Sequence, residues 1–163
     1  MNNKKILVAY YSKSGNTERL AKDIASGLGA DLEKIEDQKN RSGILGVIFG
    51  GRDAVKKLGT RIGPIKFDPA GYDLVVIGTP VWGSNIVPAV RTYLNENKGK
   101  IKNLAFFETS GGTPAEKLAA SVEEVFGKKV ISMAGFIQKE MSAGNIYKEK
   151  ADSFIEKIKQ IAL

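Results

Sequence analysis

The sequence predicts an α/β fold: a doubly wound, five-stranded parallel sheet in the order 2-1-3-4-5, with helices on both faces, in a single domain over residues 1–163. Three observations lead there. Five short apolar runs alternate with segments of helical periodicity, the pattern of repeated βαβ units. The third run, residues 74–78, is apolar throughout, as a strand covered on both faces must be. A chain of 163 residues also has the length of one ordinary domain and can bury a core without disulfides or a structural metal.

The first strand is residues 6–10, which include Ile6, Leu7, Val8 and Ala9. A helix over 17–28 follows, with Leu20, Ile24 and Leu28 on one face and Gly29 as its stop. The second strand is 31–35 and the third is 74–78. Pro88 suits the first turn of a helix over 88–96. After a fourth strand at 104–108 comes a helix over 116–126, with Leu118, Val122, Val125 and Phe126 inward and Gly127 at its end. A fifth strand at 130–134 leads to a last helix over 147–161, where Ala151, Phe154, Ile155, Ile158 and Ile161 share a face.

Residues 37–70 do not fit this rhythm, being longer than one crossover requires. Glycines recur at 43, 46, 50, 51, 59, 63 and 71, and Ile44, Leu45, Val47, Ile48 and Phe49 form a candidate exposed apolar cluster. The predicted helix here is 51–58, with mobile loops around it.

The chain has no cysteine, which excludes disulfides, iron–sulfur clusters and thiolate chemistry. It has no histidine, which excludes Ser-His catalysis and histidine metal sites. No metal ligand set and no catalytic acid or base is nominated. No apolar run approaches the roughly 20 residues of a membrane span. The run after Lys4 and Lys5 is too short for a signal peptide and is read as a strand, so a cytoplasmic location is expected. The formal net charge is +7, and residues 37–66 concentrate it, with seven cations against Asp37 and Asp53. Such a segment can face an acidic protein, nucleotide phosphates, nucleic acid or an anionic membrane. There is no basic–aromatic stripe on which bases could stack, so nucleic acid is not expected. The fold order is shared with receiver domains, but Tyr10-Tyr11-Ser12 lacks the acidic cluster they need.

In the predicted topology the loops after strands 1, 3 and 4 meet at one edge of the sheet. They read Ser12-Lys13-Ser14-Gly15-Asn16-Thr17, Thr79-Pro80-Val81-Trp82-Gly83-Ser84-Asn85 and Thr109-Ser110-Gly111-Gly112-Thr113-Pro114. All three are rich in glycine and hydroxyls. The first ends at a helix N-terminus, whose free amides and positive end suit a phosphate. Asn16 or Thr17 is expected to cap that helix as well. The single tryptophan lies in the second loop, where an aromatic ring needs something to pack against.

These three loops, in order and on the right elements, resemble the flavodoxin family over nearly the whole chain. The spacing is that of a short flavodoxin without an extra loop in its last strand. The resemblance implies bound FMN. Ser12, Ser14, Asn16 and Thr17, with the amides around Gly15, would cradle its phosphate, and Lys13 would add charge nearby. Thr79, Pro80, Val81, Trp82 and Gly83 would form the second loop, with Trp82 stacked on the flavin and the Gly83 carbonyl free to rotate toward N5. The amides of Thr109, Ser110, Gly111 and Gly112 would meet the pyrimidine edge of the ring. Two departures stand out. The third loop has no aromatic residue, so one flavin face is open or is covered by residues 37–70 with Phe49, or by the second subunit of a homodimer. The chain is also basic where carrier flavodoxins are acidic, and Ser84 stands where an acidic residue often follows the Trp-Gly pair. The expected role is electron transfer through FMN to a redox partner protein. The alternative is an FMN-dependent NAD(P)H:quinone-type reductase using hydride transfer to the flavin, whose partners would be a nicotinamide nucleotide and a quinone.

Overall fold

The computed structural model describes residues 4–162. In chain order the elements are β1 (Ile6–Tyr10), α1 (Asn16–Leu28), β2 (Asp31–Lys34), α2 (Gly43–Val55), β3 (Leu74–Trp82), β4 (Asn85–Ile86), α3 (Pro88–Asn97), β5 (Leu104–Ser110), α4 (Ala115–Phe126), β6 (Ser132–Ile137), α5 (Gln138–Ser142) and α6 (Gly144–Ala162). Five strands pair in parallel in the order β2-β1-β3-β5-β6, the predicted 2-1-3-4-5 arrangement. A sixth strand, β4, is added antiparallel to the end of β3 and was not expected.

The sheet divides the core in two because side chains alternate between its faces. Val8, Val76 and Phe107 point toward α1 and α6, where Leu20, Ile24, Phe154 and Ile158 meet them. Leu7, Ile77 and Phe106 point the other way, toward Tyr93, Leu94, Leu118 and Val122 of α3 and α4. Each fully buried side chain of this size contributes roughly 1.5–3 kcal/mol, so these two layers hold the strand ends in place.

The strands extend further at their C-terminal ends than the apolar runs do. β3 continues to Trp82 and β5 to Ser110, because their backbones stay paired as far as Pro80 opposite Thr109. The last strand is 132–137 rather than 130–134, its register set by β5 residues 105–110. The final helix begins earlier than predicted, at Gly144, and short α5 precedes it.

The largest correction lies between β2 and β3. The helix there is Gly43–Val55 rather than 51–58. Glycine disfavours helix in isolation, but two of these glycines face inward, where only a hydrogen fits. A Cβ on Gly46 would collide with the Arg41 carbonyl, and one on Gly50 would lie 2.8 Å from Cζ3 of Trp82. α2 thus packs on β3, β4 and α3 through Gly46, Gly50, Asp53 and Ala54, and its large residues face out. The neck of this excursion is closed by backbone bonds from Gln38 N to Arg61 O (2.9 Å) and from Gly63 N to Glu36 O (2.8 Å).

Under α2 lies an ionic cluster. Arg41 donates from Nε to Asp37 (2.6 Å) and from Nη1 to Asp53 (3.0 Å), and Lys39 and Arg52 also reach Asp53. Burial opposes ionisation of Asp53, but the bonds from Arg41, Lys39 and Arg52 outweigh it and hold its carboxyl at about 2. We expect Gly46→Ala to lower stability by about 1–3 kcal/mol through this backbone clash, while Val47→Ala, on the exposed face, stays within about 0.5 kcal/mol. Thermal unfolding of the two variants checks the contrast.

Candidate functional site

The first loop leaves the sheet slowly. Tyr11 still donates its amide to Gly78 O (3.1 Å), and the chain turns only at Ser12, whose Oγ accepts from Gly15 N (3.1 Å). Gly15 has φ +97°, a left-handed conformation that glycine adopts without strain, and α1 starts at the next residue. The amide of Arg19 bonds the Gly15 carbonyl (2.9 Å). The amides of Asn16, Thr17 and Glu18 precede that bond and have no acceptor within the helix. They make the positive end of α1, beside exposed Lys13 and Ser14 and half-buried Ser12 and Asn16. The cap position belongs to Gly15, and no side chain caps the helix, contrary to the expectation for Asn16 or Thr17. Thr17 turns inward instead and shares a 2.8 Å hydrogen bond with the Thr109 hydroxyl. That bond ties the first loop to the third.

The second loop is mostly strand. Thr79, Pro80, Val81 and Trp82 belong to β3, and only Gly83 and Ser84 turn. Both have positive φ, 54° and 59°, the requirement of the two-residue hairpin that matches strand twist. Trp82 is half-buried. The ring of Tyr11 meets it edge-on with centroids 5.7 Å apart, and Gly50 lies against its Cζ3 edge. The residue of α2 on Trp82 is therefore Gly50, while Phe49 lies under the Arg52 guanidinium. The Gly83 carbonyl is not free, since Asn85 Nδ2 donates to it at 3.1 Å. Behind Asn85, Ser121 Oγ donates to Asn85 Oδ1 (3.2 Å), and buried Arg91 donates to Ser121 (3.3 Å). This relay escapes sequence reading because its members lie on three different elements.

In the third loop, Ser110 Oγ accepts from the amides of Gly112 (3.2 Å) and Thr113 (3.0 Å). The Gly112 amide thus has a partner within the loop. Gly111 is open, with no atom within 4 Å of where a Cβ would stand.

All three loops meet at a cleft of about 170 Å³. Ser14 and Asn16 line it from the first loop, Pro80, Val81 and Trp82 from the second, and Thr109, Ser110 and Gly111 from the third. Gln138 at the start of α5 completes it, a residue whose only sequence signal is its place after the last strand. Ser12 and Lys13 line a larger hollow of about 480 Å³ on the other side of the first loop, with Tyr11, Lys34, Lys39 and Arg41. Gly15, Thr17, Thr79, Gly83 and Gly112 line neither. They shape the loops from behind.

Glu108, one residue before Thr109, is fully buried, and among the described residues neither carboxyl oxygen has a hydrogen-bonding partner. Burial pushes its carboxyl up to about 7, with nearby Ser110 and Lys150 pulling it down less. Gly135 leaves it room, since a Cβ there would stand 2.5 Å from Oε1. A charged residue closing an apolar strand was its visible signal in the sequence.

No protein-family model matches the chain. Among solved structures, a flavoprotein from Lactobacillus acidophilus NCFM in complex with FMN is 27% identical, covering 81% of this chain and 93% of that one, with a TM-score of 0.71. The chain has a flavodoxin-like α/β fold and is similar to FMN-binding flavoproteins of that fold. Two further structures share the fold of this flavodoxin-like chain. A putative flavoprotein from Bacteroides uniformis ATCC 8492 is 21% identical, covering 90% of this chain and 99% of that one, with a TM-score of 0.69. A flavodoxin from the domain Archaea is 17% identical, covering 95% and 99%, with a TM-score of 0.53.

A carboxyl that keeps its proton longer when folded binds more protons than the unfolded chain between the two pKa values, so stability falls as pH rises through that window. For Glu108 the window runs from 4.5 to about 7. The expected loss is roughly 2–3 kcal/mol across it. Glu108→Gln should remove that slope from a series of denaturant titrations at different pH.

Proposed function

We propose that this protein binds FMN and transfers electrons through it, as an electron carrier for a partner protein. The observation that carries the reading is the meeting of three loops at one cleft, with a helix N-terminus at one side and a fixed tryptophan at the other. The donor set fits the cofactor. Ser12, Ser14, Asn16 and the first-turn amides of α1 offer neutral hydrogen-bond donors at a positive helix end, the chemistry that suits a phosphate. Trp82 offers an apolar face, and Thr109, Ser110 and open Gly111 offer backbone at the opposite wall. The similarity to an FMN-bound flavoprotein supports the same cofactor.

FMN, when bound, supplies one- and two-electron chemistry, and the protein supplies position and environment. Trp82 would exclude water from one side of the ring, held in place by Tyr11 and Gly50. The hairpin at Gly83 would bring a carbonyl near the ring, and Asn85 sets its direction. Glu108, its carboxyl pushed up to about 7 by burial, would be only partly ionised behind the third loop at neutral pH and would put less negative charge there than an ordinary carboxylate. No helix among the described residues is long and apolar enough to cross a membrane.

A second reading, reduction of FMN by a nicotinamide nucleotide with a quinone as acceptor, is favoured by one observation. The hollow beside the first loop gathers Lys13, Lys34, Lys39 and Arg41, cations that suit nucleotide phosphates. Anaerobic mixing of the FMN-loaded protein with NADH and with NADPH separates the two. As a carrier, the flavin stays oxidised with both nucleotides and is bleached by dithionite. Bleaching by either nucleotide within seconds selects the reductase.

Trp82→Ala is expected to weaken FMN binding about 10–100-fold, the loss of one stacked aromatic face. Gly50→Ala should weaken it several-fold by displacing the Trp82 ring, although Gly50 itself does not line the cleft. Fluorescence titration of the apoprotein with FMN reads both.

A further inference from the structure

We propose that α2 is a membrane-docking helix, which sets Ile44, Leu45, Val47, Ile48 and Phe49 into the interface of an anionic lipid surface while flanking cations meet the headgroups. The helix is amphipathic in the wrong sense for a globular protein. Its small residues face the core, and its large apolar residues face water. Ile44 is 80% exposed, Leu45 67%, Val47 61%, Ile48 57% and Phe49 41%. No charged residue interrupts them between Ser42 and Gly51. A contiguous exposed apolar patch of this kind marks an interaction surface.

The charge pattern around the helix identifies the partner. The only carboxylates between residues 37 and 67 are Asp37 and Asp53. Both are turned under α2, each with a side chain 4% exposed, and both are engaged by Arg41. Lys39, Arg52, Lys56, Lys57, Arg61 and Lys66 all remain exposed. Lys39 and Arg52 pair with Asp53 and Lys57 with Glu124 of α4, but both carboxylates of the segment are turned inward, so the charges it shows solvent are cations. A second copy of this chain would oppose the same cations to themselves. An anionic surface complements them, at about 1 kcal/mol for each Lys or Arg near it.

The geometry favours lipid over a protein groove. At about 100° per residue, the five apolar positions cover an arc of about 200°, twice the stripe of about 100° that a helix buries in a packed interface. An interfacial helix sinks into the headgroup–acyl boundary and can wet such an arc. Docking through α2 places Trp82, which lies against the inner face of the same helix at Gly50, about one helix diameter or roughly 10 Å from the lipid.

The test is flotation of the full chain with vesicles of phosphatidylglycerol and phosphatidylcholine in equal parts, and with phosphatidylcholine alone. It reads lipid binding whether or not FMN is bound, so it is independent of the cofactor reading. Binding to the anionic vesicles is expected to be at least about tenfold stronger than to phosphatidylcholine alone, and to weaken about tenfold or more between about 0.05 M and about 0.5 M salt. The double variant Ile44→Ser, Ile48→Ser should lose about tenfold or more in affinity with an unchanged far-UV circular dichroism spectrum and melting temperature, since both side chains are exposed. Lys56→Glu with Arg61→Glu should lose a similar amount. Absence of binding to the anionic vesicles, or binding that survives the double serine variant, overturns the proposal. So does self-association of the free protein in sedimentation that the serine variant abolishes, because the occupant of the face would then be a second copy.

Discussion

Parallel pairing of β1, β3 and β5 is the constraint on which the site depends. With Val8 opposite Val76, and Val76 opposite Ala105, the three strands must end at one edge of the sheet. β3 and β5 then stay paired as far as Pro80 and Thr109, which carries the second and third loops beyond the end of β1. The first loop reaches back to them through one hydrogen bond between the hydroxyls of Thr17 and Thr109. A slip of one residue in any of these pairs would exchange the two faces of a strand and drive Phe106 and Phe107 each into the wrong layer of the core. The position of the loops is therefore held by the whole apolar core rather than by their own residues.

The tryptophan wall is built differently. Trp82 sits at the end of a strand whose partner there is the two-residue β4, a weak support by itself. Its orientation comes from contacts off the sheet: Tyr11 at its edge and Gly50 of α2 against the ring. α2 in turn is held by close backbone approach at Gly46 and by the Arg41 cluster beneath it. Aromatic wall and overlying helix thus form one mechanical unit.

What could be read from the sequence follows the range of the interactions involved. The strand order and the convergence of three loops are written in local periodicity and in turn residues, and both are present in the structure. The ends of β3 and β5 were placed short because Thr79–Trp82 and Thr109–Ser110 look polar or irregular. Their strand conformation comes from cross-strand pairing, which no local window contains. α2 was misplaced by eight residues at its start because glycine signals a loop wherever the neighbour that needs the space is unseen. For Gly50 that neighbour is Trp82, distant in the chain. The inward turn of Thr17, the Asn85 support of Gly83 and the isolation of Glu108 are likewise products of tertiary contact.

The one-sided packing of α2 has a consequence for how such a protein can diverge. A typical helix is constrained on its inner face by large side chains fitted to their neighbours and is free on its polar outer face. Here the inner face is two glycines, an alanine and an aspartate, and the bulky residues touch little of the protein that carries them. Substitution among Ile44, Leu45, Val47 and Ile48 leaves the wall around Trp82 undisturbed. The surface this protein presents to its surroundings can therefore drift residue by residue while the loops beneath it stay as they are.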